Sequence, residues 1–127
     1  MEDYVTFEQA KKLKKFGFDW ECNHYYDKQE QFEQVVVSNY DNYYNCNSDD
    51  FEDACSAPTL SQSQKWLREV KEICVTSSIK IHKGKYKFNW SITLFKEGRG
   101  IWDESVIYDT YEQALSAGID KALELLK

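Results

Sequence analysis

Between residues 75 and 94 apolar and polar positions alternate almost without a break. Val75, Ser77, Ile79 and Ile81 share one face, and Thr76, Ser78, Lys80 and His82 share the other. After Lys83 and Gly84 the alternation resumes, with Tyr86, Phe88, Trp90, Ile92 and Leu94 set against Lys85, Lys87, Asn89, Ser91 and Thr93. Side chains of a strand point to opposite faces with period two, so each run reads as a strand with one buried face. The two-residue break between them predicts an antiparallel hairpin. A third strand, residues 101 to 108, follows the turn KEGRG.

Elsewhere the period changes to that of a helix. Residues 59 to 72 carry Leu60, Ser63, Trp66, Leu67 and Val70 at helical intervals behind Thr59 and Gln62, which have capping-box spacing. Thr110 and Gln113 repeat that spacing before a stripe of Tyr111, Ala114, Leu115, Gly118, Ile119, Ala122, Leu123 and Leu126. A shorter helix spans residues 6 to 17. Thr6 and Gln9 open it, Phe7, Ala10 and Leu13 form its apolar stripe, and Gly17 closes it. Residues 18 to 26 and 31 to 37, rich in aromatic and β-branched types around the polar DKQE, read as a second hairpin. Residues 38 to 58, dense in Asn, Asp and Ser, read as a long loop with room for one short strand.

These elements predict an α+β fold: an antiparallel sheet with helices packed mainly on one face, made of a C-terminal α-β-β-β-α unit plus an N-terminal helix and hairpin. The expected core is Trp66, Leu67, Val70, Ile79, Ile81, Phe88, Trp90, Ile92, Leu115, Ile119, Leu123 and Leu126. At 127 residues the expectation is a single domain, with residues 1 to 57 as an acidic helix-hairpin-loop part and residues 58 to 127 as the α-β-β-β-α part.

Composition adds constraints. Hydrophobic residues are 42% and charged residues 30%, the balance of a globular chain rather than a disordered one. No apolar run approaches the roughly 18 residues of a membrane span, and the first twenty residues hold no apolar stretch of the signal-peptide kind. A soluble protein of the cytoplasm, without a membrane partner, is expected. Cys22, Cys46, Cys55 and Cys74 would be reduced there. The net charge of −6 is unevenly spread: 5 basic against 13 acidic residues precede Pro58, and 11 against 9 follow from it. An acidic chain is a poor general ligand for phosphate backbones, so nucleic acid is not the expected partner.

Candidate chemistry is sparse. Cys22, His24, Cys46 and Cys55 are ligand types that zinc accepts, but only Cys22 and His24 are close in sequence and no knuckle pair is present, so neither a metal nor a cofactor is expected. The acidic run Asp49, Asp50, Glu52 and Asp53 lacks the order and the glycine of a calcium loop. No nucleophile motif, P-loop or dinucleotide fingerprint occurs. The most informative cluster is basic: Lys80, His82, Lys85 and Lys87 fall on one hairpin face, with Lys83 in the turn. Like charges opposite each other cost about 0.2 to 1 kcal/mol per pair, so this face meets acidic groups of the same molecule, blunts a sheet edge, or binds an anion. Tyr40, Tyr43 and Tyr44 in the long loop are the second candidate surface, because tyrosine gives large contact area at small entropic cost.

The wording VTFEQAKKLKKFGFDWECNHYY, APTLSQSQKWLREV and YEQALSAGIDKALELLK resembles a group of small proteins carried by phages and other mobile elements of Bacteroidetes. That resemblance implies a context, action inside a bacterial host cell, and brings no catalytic residues with it. The order α-β-β-β-α is also similar to that of double-stranded RNA-binding domains. Those modules need basic residues at the start of the last helix, where this chain has Asp109 and Glu112. The expectation is therefore a small accessory protein that binds a host macromolecule without catalysis, with a host protein among the candidate partners. The alternative is a small-anion or nucleotide binder, with or without hydrolysis, that uses the basic hairpin face. A homodimer is left open.

Overall fold

A computed structural model of the protein describes residues 3–22, 24–27, 35–37, 54–103 and 106–126. Tyr40, Tyr43, Tyr44 and Cys46, named above, lie outside these residues. The chain divides into two compact units, residues 1–59 and 60–127. The division falls next to Pro58, where the charge balance of the sequence changes sign.

In the first unit, helix α1 (Phe7–Lys15) is followed by strands β1 (His24–Asp27), β2 (Val35–Val37) and β3 (Ala54–Ser56). Both halves of the capping box form: the Thr6 N–H donates to Gln9 Oε1 at 2.8 Å and the Gln9 N–H to Thr6 Oγ1 at 3.1 Å. At the other end Gly17, at φ +94°, turns the chain through a left-handed conformation. The Phe18 N–H then reaches the Leu13 carbonyl at 2.9 Å and the Gly17 N–H the Lys14 carbonyl at 3.2 Å, the paired bonds of a Schellman cap. Leu13 and Phe18 are both buried, at the two positions whose hydrophobic contact commonly accompanies that motif. β1 is the central strand of an antiparallel sheet of order β2-β1-β3, so the expected hairpin forms and the long loop region supplies one short strand. The Tyr26 ring meets Phe7 edge-on at 5.2 Å and its hydroxyl donates to the Val5 carbonyl at 2.8 Å, which fixes α1 on this sheet.

The second unit runs α2 (Leu60–Val70), β4 (Ile73–His82), β5 (Lys85–Leu94), β6 (Arg99–Trp102) and α3 (Tyr111–Leu125). Its antiparallel sheet has the order β4-β5-β6. The register follows the alternation, with Val75 opposite Ile92, Ser77 opposite Trp90 and Ile79 opposite Phe88. Lys83 at φ 52° and Gly84 at φ 76° form the two-residue turn, the pair of positive φ values that a type I′ hairpin needs. The third strand is shorter than the expected 101 to 108, but Tyr108 rejoins β5 as an isolated bridge, exchanging both backbone hydrogen bonds with Phe88 at 2.9 Å. Both helices pack on one face, over Ile73, Val75, Trp90, Ile92 and Leu94. α3 approaches closely at Gly118, where a Cβ would stand 2.7 Å from Val75 Cγ1.

The expected core is corrected in part. Trp66, Leu67, Trp90, Ile92, Leu115, Ile119 and Leu123 are buried. Phe88 and Leu126 are half-buried. Val70, Ile79 and Ile81 are exposed, the last two to 59% and 76%. Ile79 and Ile81 do occupy the face assigned to them, but the helices cover that face only as far as about Ser77, and the outer third of the hairpin stands clear.

Candidate functional site

The outer hairpin is an arm with two unlike faces. One carries Ile79, Ile81 and Tyr86, with Tyr86 exposed to 70%. Phe88 closes the apolar stripe at its inner end, its ring edge-on to Tyr111 at 6.3 Å. On the other face Lys80 stands across from Lys87 and His82 across from Lys85, so the expected basic ladder forms, with Lys83 exposed at the tip.

The ladder is partly balanced by an acid that sequence reasoning did not assign to it. Lys87 Nζ forms an ion pair with Asp109 Oδ1. The hydrogen bond and the charge of Lys87 hold the Asp109 carboxyl below its ordinary value, and Lys85 adds to the effect. Asp109 belongs to the second unit itself, so this acid comes from the turn before α3 and not from the acidic N-terminal part. The first turn of α3 also holds Glu112 beside the Thr110 N-cap, which accepts the Gln113 N–H at 3.1 Å. An RNA phosphate would meet carboxylates there.

Farther along the same outer face lies a shallow depression of about 250 Å³ lined by Ser78, Lys80, Asn89, Ser91 and Trp102. The indole of Trp102 is 62% exposed and lies along its own strand over Gly100, whose missing side chain leaves it room. Asn89, buried, is spent on the fold: its Nδ2 donates to the Asp103 carbonyl at 2.9 Å and its Oδ1 accepts the Trp90 N–H at 2.8 Å. Trp102 was missed by the sequence reading. Alternation along a strand beginning at Ile101, with Ile101 inward, would have placed it outward beside the lysines.

In the first unit, Cys22, His24 and Cys55 are buried, and Cys22 Sγ lies 3.6 Å from the His24 carbonyl as its donor. Burial pushes the Cys22 thiol up, against hydrogen bonds with Ser56 and nearby backbone that lower it. Burial also pushes the His24 imidazole down, and its ring lies 4.0 Å from that of Tyr4. Among the described residues no three side chains of metal-ligating type come together. His24 and His82 belong to different units. Among the described residues no helix is long and apolar enough to cross a membrane.

No protein-family model, curated protein or solved structure matches this chain. The candidate site therefore rests on its geometry.

Proposed function

We propose that the protein is a small accessory protein that acts by binding, without catalysis, and that it engages a protein partner through the outer part of the β4-β5 hairpin. The observation that carries this reading is the exposure of Ile79, Ile81 and Tyr86 on an arm whose opposite face is a ladder of Lys and His. The apolar side chains remain in water, where each gives up burial free energy of up to about 1.5 to 3 kcal/mol, and on the reverse face the ion pair to Asp109 balances the ladder at Lys87. Exposed apolar residues gathered in one patch and rimmed by charge mark contact surfaces. If the resemblance to small phage and mobile-element proteins holds, the partner is a host protein and the place of action the bacterial cytoplasm.

A photo-cross-linking amino acid at Tyr86 tests this reading in the host cell, with the same group at exposed Glu112 as the control. A discrete cross-linked product at Tyr86, absent at Glu112 and lost when Ile79 and Ile81 are changed to Ser, is expected. Equal products at both positions, or none at either, would refute it.

A second reading is favoured by the depression beside Trp102, where an indole face for stacking and the Lys80 ammonium for a phosphate suit a nucleotide. It ranks second because about 250 Å³ is below the roughly 300 Å³ at which ordinary ligand pockets begin. Quenching of Trp102 fluorescence by nucleoside phosphates, abolished in Trp102→Phe, is the result it requires.

A further inference from the structure

We infer that β4 receives an added strand, and that this strand is a segment of another protein in which apolar and acidic residues alternate. The inference deepens the binding reading above and rests on it. β4 ends the sheet, since the order is β4-β5-β6. Its free edge can be phased from the turn. His82 and Lys85 flank a two-residue hairpin loop, and such a flanking pair exchanges both backbone hydrogen bonds. Alternation then commits residues 74, 76, 78, 80 and 82 to β5 and turns the N–H and C=O groups of 73, 75, 77, 79 and 81 outward.

Two contacts agree with this phase. The Val75 carbonyl, outward by this count, accepts Gln64 Nε2 of α2 at 2.6 Å. Phe88, opposite Ile79, turns its own backbone groups to the far side of β5, where Tyr108 takes both. The Gln64 side chain thus closes the β4 edge at Val75. Beyond it, Ser77, Ile79 and Ile81 present three N–H and three C=O groups, and no strand among the described residues pairs with them. Natural edges are blunted by proline, by bulges or by charge, and on this stretch of β4 that device is the charge of Lys80, beside the polar ring of His82.

That charge selects the occupant. A second copy of β4 would bring Lys80 and His82 toward the same groups, which disfavours it. A strand of another protein continues the pleat of β4, so its side chains alternate between the Ile79, Ile81 and Tyr86 face and the Lys80 and His82 face. Apolar residues suit the first face and carboxylates the second. The match extends over about five residues, the length of the open edge.

Fluorescence anisotropy of the full chain with a labelled peptide containing Val-Glu-Val-Glu-Val tests this. Controls are a peptide of the same composition in blocks, and two forms of the alternating peptide N-methylated either at every Val or at every Glu. Saturable binding of the alternating peptide, at least about tenfold tighter than the block peptide, is expected, with one N-methylated form inactive and the other active. Ile79→Pro deletes an outward N–H without touching the ladder to β5 and should weaken binding about tenfold. Lys80→Glu with His82→Glu should weaken it similarly and favour a Val-Lys-Val-Lys-Val peptide. If Ile79→Pro fails to fold by circular dichroism, the N-methylated pair decides with the unaltered protein. Binding equal for block and alternating peptides, equal loss or retention for both N-methylated forms, or indifference to charge reversal overturns the inference. Such a failure with the Tyr86 cross-link present discards strand addition and keeps the arm as a docking face, whereas failure without the cross-link discards both.

Discussion

Gly118→Ala isolates the contact that sets how closely α3 lies on its sheet. In a solvent-facing helix the change would stabilise by about 1 kcal/mol, because alanine loses less backbone entropy than glycine. At residue 118 the new Cβ meets Val75 Cγ1 at 2.7 Å and Trp90 Cβ at 3.0 Å. Neither neighbour can yield easily. Val75 is fully buried and β-branched, so its χ1 is restricted, and the Trp90 Cβ is fixed to the backbone of the central strand. Overpacking of this kind costs about 1 to 3 kcal/mol, and because neither neighbour can yield the cost lies toward the upper end, which leaves a net loss of up to about 2 kcal/mol. Urea unfolding followed by far-ultraviolet circular dichroism reads it as a lower midpoint at unchanged slope. A double-mutant cycle then assigns the cause. Val75→Ala removes the nearer atom, so it should cost clearly less in the Gly118→Ala background than alone, with a coupling of about 1 kcal/mol or more. A Gly118→Ala protein that is more stable than the parent, or costs that add without coupling, would refute the close approach of α3.

Trp90→Ala should cost about 3 to 5 kcal/mol, whereas Ile81→Ser, on the exposed part of the same hairpin, should leave the unfolding midpoint nearly unchanged. His24, held below its ordinary value of about 6.5, binds fewer protons folded than unfolded. Stability of the first unit should therefore be full above that value and decline as the pH falls through it, a slope that His24→Phe removes. With a thiol reagent at pH 8, Cys22 and Cys55 should react slowly until the chain is unfolded, since both are buried and the Cys22 thiol is pushed up, while half-buried Cys74 reacts first of these three. Lys83→Asn should raise stability by a few tenths to about 1 kcal/mol, because Asn tolerates the positive φ of the type I′ turn better than Lys, and an unchanged midpoint would count against that turn.

Most of the second unit was legible because its signals are local. The residue-by-residue alternation set the register of β4 on β5, the Lys-Gly break set the turn, and Thr110 with Gln113 set the start of α3. The basic ladder followed from that register alone. What the sequence did not disclose depends on contacts made at a distance along the chain. Asp109 reaches Lys87 across 22 positions, and no spacing rule connects them. The bonds from Asn89 to Asp103 and to the Trp90 N–H arise where the chain leaves β6 before rejoining β5 at Tyr108, so a reading of residues 101 to 108 as one continuous strand could not show them. In the first unit, the mixed aromatic and polar run of residues 18 to 26 located β1 but not its ends, since the side chains buried in alternation there, Cys22, His24 and Tyr26, are a thiol, an imidazole and a phenol rather than plain hydrophobes.

The misassigned core residues Ile79 and Ile81 follow from asking which face is apolar without asking how far it can be covered. Alternation assigns the face of a strand, but burial also requires an element long enough to lie over it. β4 has 10 residues, a span of about 33 Å at the strand rise. α3, the longest helix among the described residues, has 15 residues and spans about 22 Å at the helical rise. Even aligned with the strands, it leaves about 10 Å of hairpin uncovered, close to three residues per strand. Gly118 against Val75 and Trp90, and Tyr111 against Phe88, show where α3 meets the sheet, and neither contact reaches the turn. The uncovered length is therefore the turn end, from Ile79 to Tyr86. Both helix and strand lengths can be read from the sequence, so an apolar stripe longer than the helix that faces it is itself a signal of surface. Here the signal falls where the basic ladder lies on the reverse side, and the partner contact proposed for the arm rests on those two features together.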